Sequence, residues 1–569
     1  MIELGLLQPV HYMPSLLGQR TLYTQDIRGS AWFDDVTVSQ VPKVTLSSEF
    51  PGNIFRRDEP LRLQVLVNDR FTDDLAAQLV IRDARQNVVF QRSGALDMSQ
   101  AEALGPGRKR MPLVLPDLAP GWYEAALVMS SQGQFVGEQT LDLIRLADNA
   151  PPAVPDQRFG IIATDLPFDG WHELPDILPF LSAGRVKLGV WSEAGDIQQV
   201  DSAAFDHLLE RLGELQITPT ACLLNIPPSL TEKLNGNDWR QLLKAKREDW
   251  QPQLAFLVAR HANHLDRWQL GADGTDAFVT QPEMRDVYAL IYHEFAELIQ
   301  KPDLAMPWPA WYELEGELPA TVALSVPPSV LPSQLPLYMQ DLRGHDGHNL
   351  SISLQPLSRE QYGRETQIRD IAQRLVYALA GDAKRIDLPL PFSVRREGGD
   401  LVRQPQEMLL ILRTLITTLG GTTFKGKVPI AEGVEAFLFD RQGKGILVLW
   451  DRGHESGARR LAINLGERPL RMDLWGNVTP VVATNVASTS GEPTRIKLDL
   501  GPMPIILFDI DGQLAQLRAS VAFDRPLLES SFEPHTRHIR FVNPYRQAIG
   551  GTFKLRPPTG WQISPPIFT

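Results

Sequence analysis

Between about residues 158 and 419, a short apolar run followed by an amphipathic stretch recurs eight times, at intervals of about 30 residues. The apolar runs are Phe159–Thr164, Val186–Trp191, Thr218–Leu224, Trp268–Gly271, Leu304–Trp308, Thr321–Val326, Asn349–Leu354 and Arg385–Leu390. Between them lie stretches of helical period, of which Phe205–Leu215 (apolar at i, i+3, i+4, i+7) and Glu365–Leu379 are the clearest. Glu407–Leu419 closes the series, with Gly420-Gly421 as its stop. Strands joined by helical crossovers run parallel, and eight such units close on themselves. The segment 158–425 therefore predicts a (β/α)8 TIM barrel.

At 569 residues the chain exceeds what one core can hold, so further domains are expected on either side. Residues 43–148 alternate with period two, as in Leu61–Val67 and Leu79–Asp83, and predict an immunoglobulin-like β-sandwich. A Pro-rich linker, 149–157, joins it to the barrel. Past the barrel, Ala436–Asp440 and Gly445–Trp450 flank an Arg-Gln-Gly turn, so 426–515 reads as a second β-sandwich, and 516–569 as a partial module. Residues 1–42 are too few for a sandwich of their own and read as the end of one.

Composition excludes several functions. A net charge of −12 with no basic cluster argues against a nucleic-acid partner. No apolar run approaches the length that spans a bilayer. Cys222 is the single cysteine and lies in an apolar run, where it reads as a small buried hydrophobe. His345-Asp346-Gly-His348 has ligand-type residues but sits in a polar connection and reads as a surface loop. No nucleotide-binding glycine motif and no Gly-x-Ser-x-Gly elbow occurs, so neither metal nor cofactor is expected.

The fourth strand, Trp268-Gln-Leu-Gly-Ala-Asp273-Gly-Thr-Asp276, resembles the fourth barrel strand of retaining glycoside hydrolases, which typically reads Trp-x-x-Gly-Asn-Glu. Other segments resemble modules attached to such enzymes. Ala31-Trp-Phe-Asp-Asp-Val36 is similar to the closing strand of a carbohydrate-binding jelly roll. Leu118-Ala-Pro-Gly-Trp-Tyr-Glu124 is similar to an immunoglobulin-like last hairpin. Asp473-Leu-Trp-Gly-Asn477 resembles a hairpin of sandwiches that follow these barrels, and Leu555-Arg-Pro-Pro-Thr-Gly-Trp561 a strand of attached modules. The resemblance implies a multidomain bacterial enzyme of the clan-A-like type, acting on an oligo- or polysaccharide without cofactor. A secreted, periplasmic or cell-surface location is expected, a leader being lost if the chain begins inside a domain.

Glycoside hydrolysis needs two carboxylates, about 5 Å apart for retention and roughly 6.5–9.5 Å for inversion. The resemblance makes Asp273 the proton donor, and strand position makes Glu193 and Asp165, after strands two and one, the favoured second carboxylates. Asp169, Glu313 and Glu315 are weaker candidates, and Asp276 reads as a substrate contact or a helix cap. Trp171, Trp191, Trp268, Trp308 and Trp311 are expected to offer indole faces to sugar rings. The seventh strand ends in Gln355 where the resemblance implies a nucleophilic glutamate. An amide can hydrogen-bond a hydroxyl but cannot attack. Two readings stay open: a hydrolase using other carboxylates, and a barrel that binds carbohydrate or serves as a surface scaffold without cleaving.

Overall fold

A computed structural model describes residues 11–14, 20–23, 43–68, 75–95, 101–148, 154–313, 319, 321–343, 349–397, 400–453, 458–466, 468–481, 496–525, 533–555, 557 and 560–568. The jelly-roll-like strand at 31–36, Glu315 and the His345–His348 loop lie outside them. The central segment is a closed barrel of eight parallel strands. In chain order these are β1 (Asp156–Ile162), β2 (Ala183–Ser192), β3 (Thr218–Leu223), β4 (Arg267–Leu270), β5 (Asp303–Pro309), β6 (Thr321–Val326), β7 (Asn349–Leu354) and β8 (Arg385–Pro389). β8 pairs with β1, joining Phe159 to Ile386, and closes the ring. All eight fall where the apolar runs placed them.

Among the described residues, helices α1 (Leu174–Leu181), α2 (Ile197–Glu214), α3 (Arg247–His261), α4 (Glu283–Leu298), α5 (Leu335–Arg343), α6 (Arg364–Ala380) and α7 (Met408–Leu419) follow every strand except β5, whose link to β6 spans residues 310–320. Alternation along each strand sends one set of side chains outward to these helices. Phe159, Ile161, Val186, Leu188, Trp268, Leu304 and Ile386 are all fully or nearly fully buried in that layer. The inward set is unusual. Barrel interiors are normally filled by branched apolar residues, whereas here Arg185, Lys187, Thr220, Gln269, Thr321, Ser351 and Asp387 face one another, all buried.

The segment before the barrel forms a four-stranded antiparallel sheet and a five-stranded one, antiparallel except for the short edge strand Ile54–Phe55, around their own core. Trp122, Ile54 and Ile144 leave that core and join the barrel's. The Trp122 indole donates to the Pro405 carbonyl at 2.8 Å, and Gln404 accepts from the Asp142 amide at 2.9 Å. Both partners lie on a hairpin (Phe392–Glu397 with Asp400–Pro405) between β8 and α7. On the other side, a six-stranded antiparallel sheet packs onto α6 and α7, with Tyr377 edge-on to Phe437 at 4.9 Å. The Arg441-Gln-Gly turn in that sheet has positive φ at Gln442 (53°) and Gly443 (84°), a geometry that matches strand twist in a two-residue hairpin. Beyond it the described residues form helix Gly512–Ser520 and two short strand pairs.

Trp268 lies in the strand–helix layer against Phe295 of α4, ring centroids 5.0 Å apart. Trp268→Ala should cost about 3–5 kcal/mol of stability. Chemical denaturation would measure it, and a change below about 1 kcal/mol would contradict that placement.

Candidate functional site

The C-terminal ends of the strands gather the β4–α4 loop, which carries Asp273, over the polar interior. Gly271 (φ 93°) and Gly274 (φ 83°) let this loop fold inward. The Gly274 amide donates to Ser325 Oγ at 2.6 Å, tying the loop to β6. A side chain at Gly274 would lie 2.5 Å from the amide nitrogen of Gln355, so Gln355 and the Asp273 loop are immediate neighbours.

Lys187, on β2, donates to both Asp273 oxygens, at 2.8 and 3.0 Å. The same ammonium lies 3.1 Å from Asp387 of β8, whose other oxygen is 2.9 Å from Arg185. Ser351 Oγ donates to Asp387 at 2.6 Å. Two cations and two anions thus form one neutral chain across the barrel. Gly160 of β1 makes room for it, since a Cβ there would fall 2.2 Å from Asp387 Oδ1. Burial opposes charge on Asp387, but Arg185, Lys187 and the Ser351 hydroxyl outweigh it and hold the carboxyl down at about 2. Burial likewise opposes charge on Lys187, and the fields of Asp273 and Asp387 reverse it, raising the ammonium above its ordinary value.

Asp273 and Asp387 both touch one nitrogen, so the carboxylates stand within about 6 Å of each other, a separation glycoside hydrolysis could use. An ammonium fills the space between them. The Asp387 side chain is 0% exposed and that of Asp273 9%. With Lys187 on both Asp273 oxygens, the pair is built as a charge network.

The other predicted residues are dispersed. Glu193 is exposed at the tip of the hairpin after β2, and Asp165 is exposed after β1. Asp276 is exposed at the start of the short helix Ala277–Thr280 and caps it with its backbone carbonyl only. The tryptophans correct the expectation of a sugar-binding ring. Trp171, Trp191, Trp268 and Trp308 are buried, because each indole packs between barrel and helices or under a loop: Trp191 stacks on Trp239, and Arg285 covers Trp308. Trp311 alone is open, at 50%, beside Tyr312 on the rim after β5.

The sequence reading missed Lys187, Arg185 and Asp387. The signal was present: Arg185-Val-Lys-Leu and Arg385-Ile-Asp-Leu put charges at alternate positions of strands otherwise read as buried. Among the described residues no group of three or more acidic, histidine or cysteine side chains could hold a metal, and no helix is long and apolar enough to cross a membrane.

Removing one member of this network leaves a buried charge uncompensated. Lys187→Met should therefore cost about 3–5 kcal/mol, and urea midpoints would show it. The pH dependence has a defined sign. The native carboxyl of Asp387 sits at about 2, below its ordinary 3.8, so its contribution is complete above about pH 4 and disappears as pH falls through about 2. Lys187, raised, contributes below its ordinary 10.5 and loses that contribution only in stronger alkali. Asp387→Asn should flatten the acid limb of a stability–pH curve; an unchanged limb would contradict the assignment.

No family model and no curated protein matches the chain. Among solved structures it is similar to a family 39 glycoside hydrolase from the gut symbiont Bacteroides cellulosilyticus, at 10% identity and TM-score 0.52, over 82% of this chain and 100% of that one. An endoxylanase of glycoside hydrolase family 30 from Clostridium papyrosolvens aligns at 10% identity and TM-score 0.43, over 63% and 97%. With its closed ring of eight parallel strands and a β domain on either side, the chain shares a (β/α)8-barrel fold with that family 39 glycoside hydrolase.

Proposed function

We propose that this protein binds carbohydrate without cleaving it, a glycosidase-type barrel kept as a binding scaffold, in a secreted, periplasmic or cell-surface setting. The observation that carries the reading is the Lys187 ammonium seated on both oxygens of Asp273. A proton donor must present a free carboxyl to the glycosidic oxygen, and a nucleophile must present a free oxygen to the sugar carbon. Asp273 does neither while it is held by Lys187. Gln355 stands beside it where a nucleophile is needed and cannot attack. Glu193 and Asp165, the alternative acids, are exposed on rim loops.

A carbohydrate partner is supported by the barrel fold, which the chain shares with a solved glycoside hydrolase.

A panel of chromogenic aryl-glycosides covering common sugars and both anomers tests the proposal. No release above the buffer rate is expected, and Asp273→Asn should behave as the parent. Turnover that Asp273→Asn abolishes would restore the hydrolase reading and overturn this one.

A further inference from the structure

A groove of about 260 Å³ opens on the flank of the barrel, between the turn Phe168–Glu173 after β1 and the first half of α2. Its walls are apolar: Phe168 stands edge-on to Trp171 at 5.0 Å, and Trp171 meets Phe205 at 5.7 Å. Val200 adds an aliphatic wall that is 54% exposed. Exposed polar groups ring it, namely Asp169, His172 and Asp201.

The groove exists because α2 is broken. Asp201 is extended (φ −159°, ψ 78°) inside the helix, so the turn Ile197–Val200 bends away from the rest. Asp201 Oδ1 then accepts from the Ala204 amide at 3.0 Å and caps the second part, while its other oxygen has no hydrogen bond to that backbone. Gly195 lets the hairpin after β2 pass close by, since a Cβ there would meet Val200 at 3.0 Å and Phe168 at 3.8 Å. Behind the groove the buried Arg403 guanidinium pairs with Glu173 and feels the field of Asp169, offsetting part of the negative charge.

We infer that this flank groove, and not the barrel mouth, is where the protein holds a saccharide. The inference rests on the carbohydrate-binding reading given above. An uncharged polyol fits the chemistry on both counts: its C–H face covers Phe168 and Val200, and its hydroxyls donate to carboxylate oxygens of the rim. The volume lies just under the usual range for small-molecule sites, about 300–1,000 Å³, which suits one or two rings. Loops from the C-terminal ends of β1 and β2 frame it, so the barrel still presents the ligand on the side where such folds carry function.

Isothermal titration of the full chain with the hexaoses of β-1,4-glucose, α-1,4-glucose, β-1,4-xylose and β-1,4-mannose tests this. Ala204→Trp fills the groove at an exposed helical position, Asp201→Asn removes the carboxylate charge while keeping a capping side chain, and Trp311→Ala alters the mouth. Thermal melts matched to the parent confirm folding. At least one hexaose should bind, with affinity falling roughly tenfold or more in Ala204→Trp and Asp201→Asn and unchanged in Trp311→Ala. Binding lost only in Trp311→Ala overturns the groove and leaves carbohydrate binding intact. Absence of binding by the parent overturns both.

Discussion

A lysine shared by two buried aspartates organises this barrel. Taking Lys187, Arg185, Asp387 and Asp273 out of water is expensive for each ion alone. The cost is tolerable because the four cancel and because strand geometry brings them within hydrogen-bonding distance. Everything around them answers to that requirement. Gly160 gives up a side chain, Ser351 supplies a hydroxyl, and the β4–α4 loop turns inward through two left-handed glycines to deliver Asp273. The apolar packing of the barrel is displaced to the strand–helix layer, where Trp268 meets Phe295 of α4.

Packing between domains follows the same economy of burial. The hairpin after β8 supplies Pro405 and Gln404 as polar partners for the N-terminal sandwich, while Trp122 shares the barrel's core. On the opposite side, Arg364 and Trp475 both bond Glu407, joining the start of α6, the approach to α7 and the C-terminal sandwich at one buried carboxylate. The Asp473–Asn477 segment that presents Trp475 is itself tightened by Asp473, which accepts from the amides of Trp475 and Asn477 at 2.9 Å. These contacts make α7 an interior element, buried along nearly its whole length including Arg413 and Thr417.

Hydrolysis of a glycosidic bond relies on two carboxylates left free in a cleft. Here Asp273 and Asp387 stand close to one another with the Lys187 ammonium between them.

Strand spacing was fully legible in the sequence, because parallel strands buried on both faces require recurring apolar runs, and period-two alternation marked the flanking sheets. The Asp273 loop was legible too, from its position after the fourth run. Which carboxylate meets which cation was not. Lys187 and Asp387 are 200 residues apart in sequence, and only closure of the ring, β8 against β1 and β1 against β2, brings them together. Nor could the sequence separate a tryptophan lining a mouth from one packed between layers, since both follow strands. That choice depends on which side of the strand faces the axis, and it is made by tertiary packing.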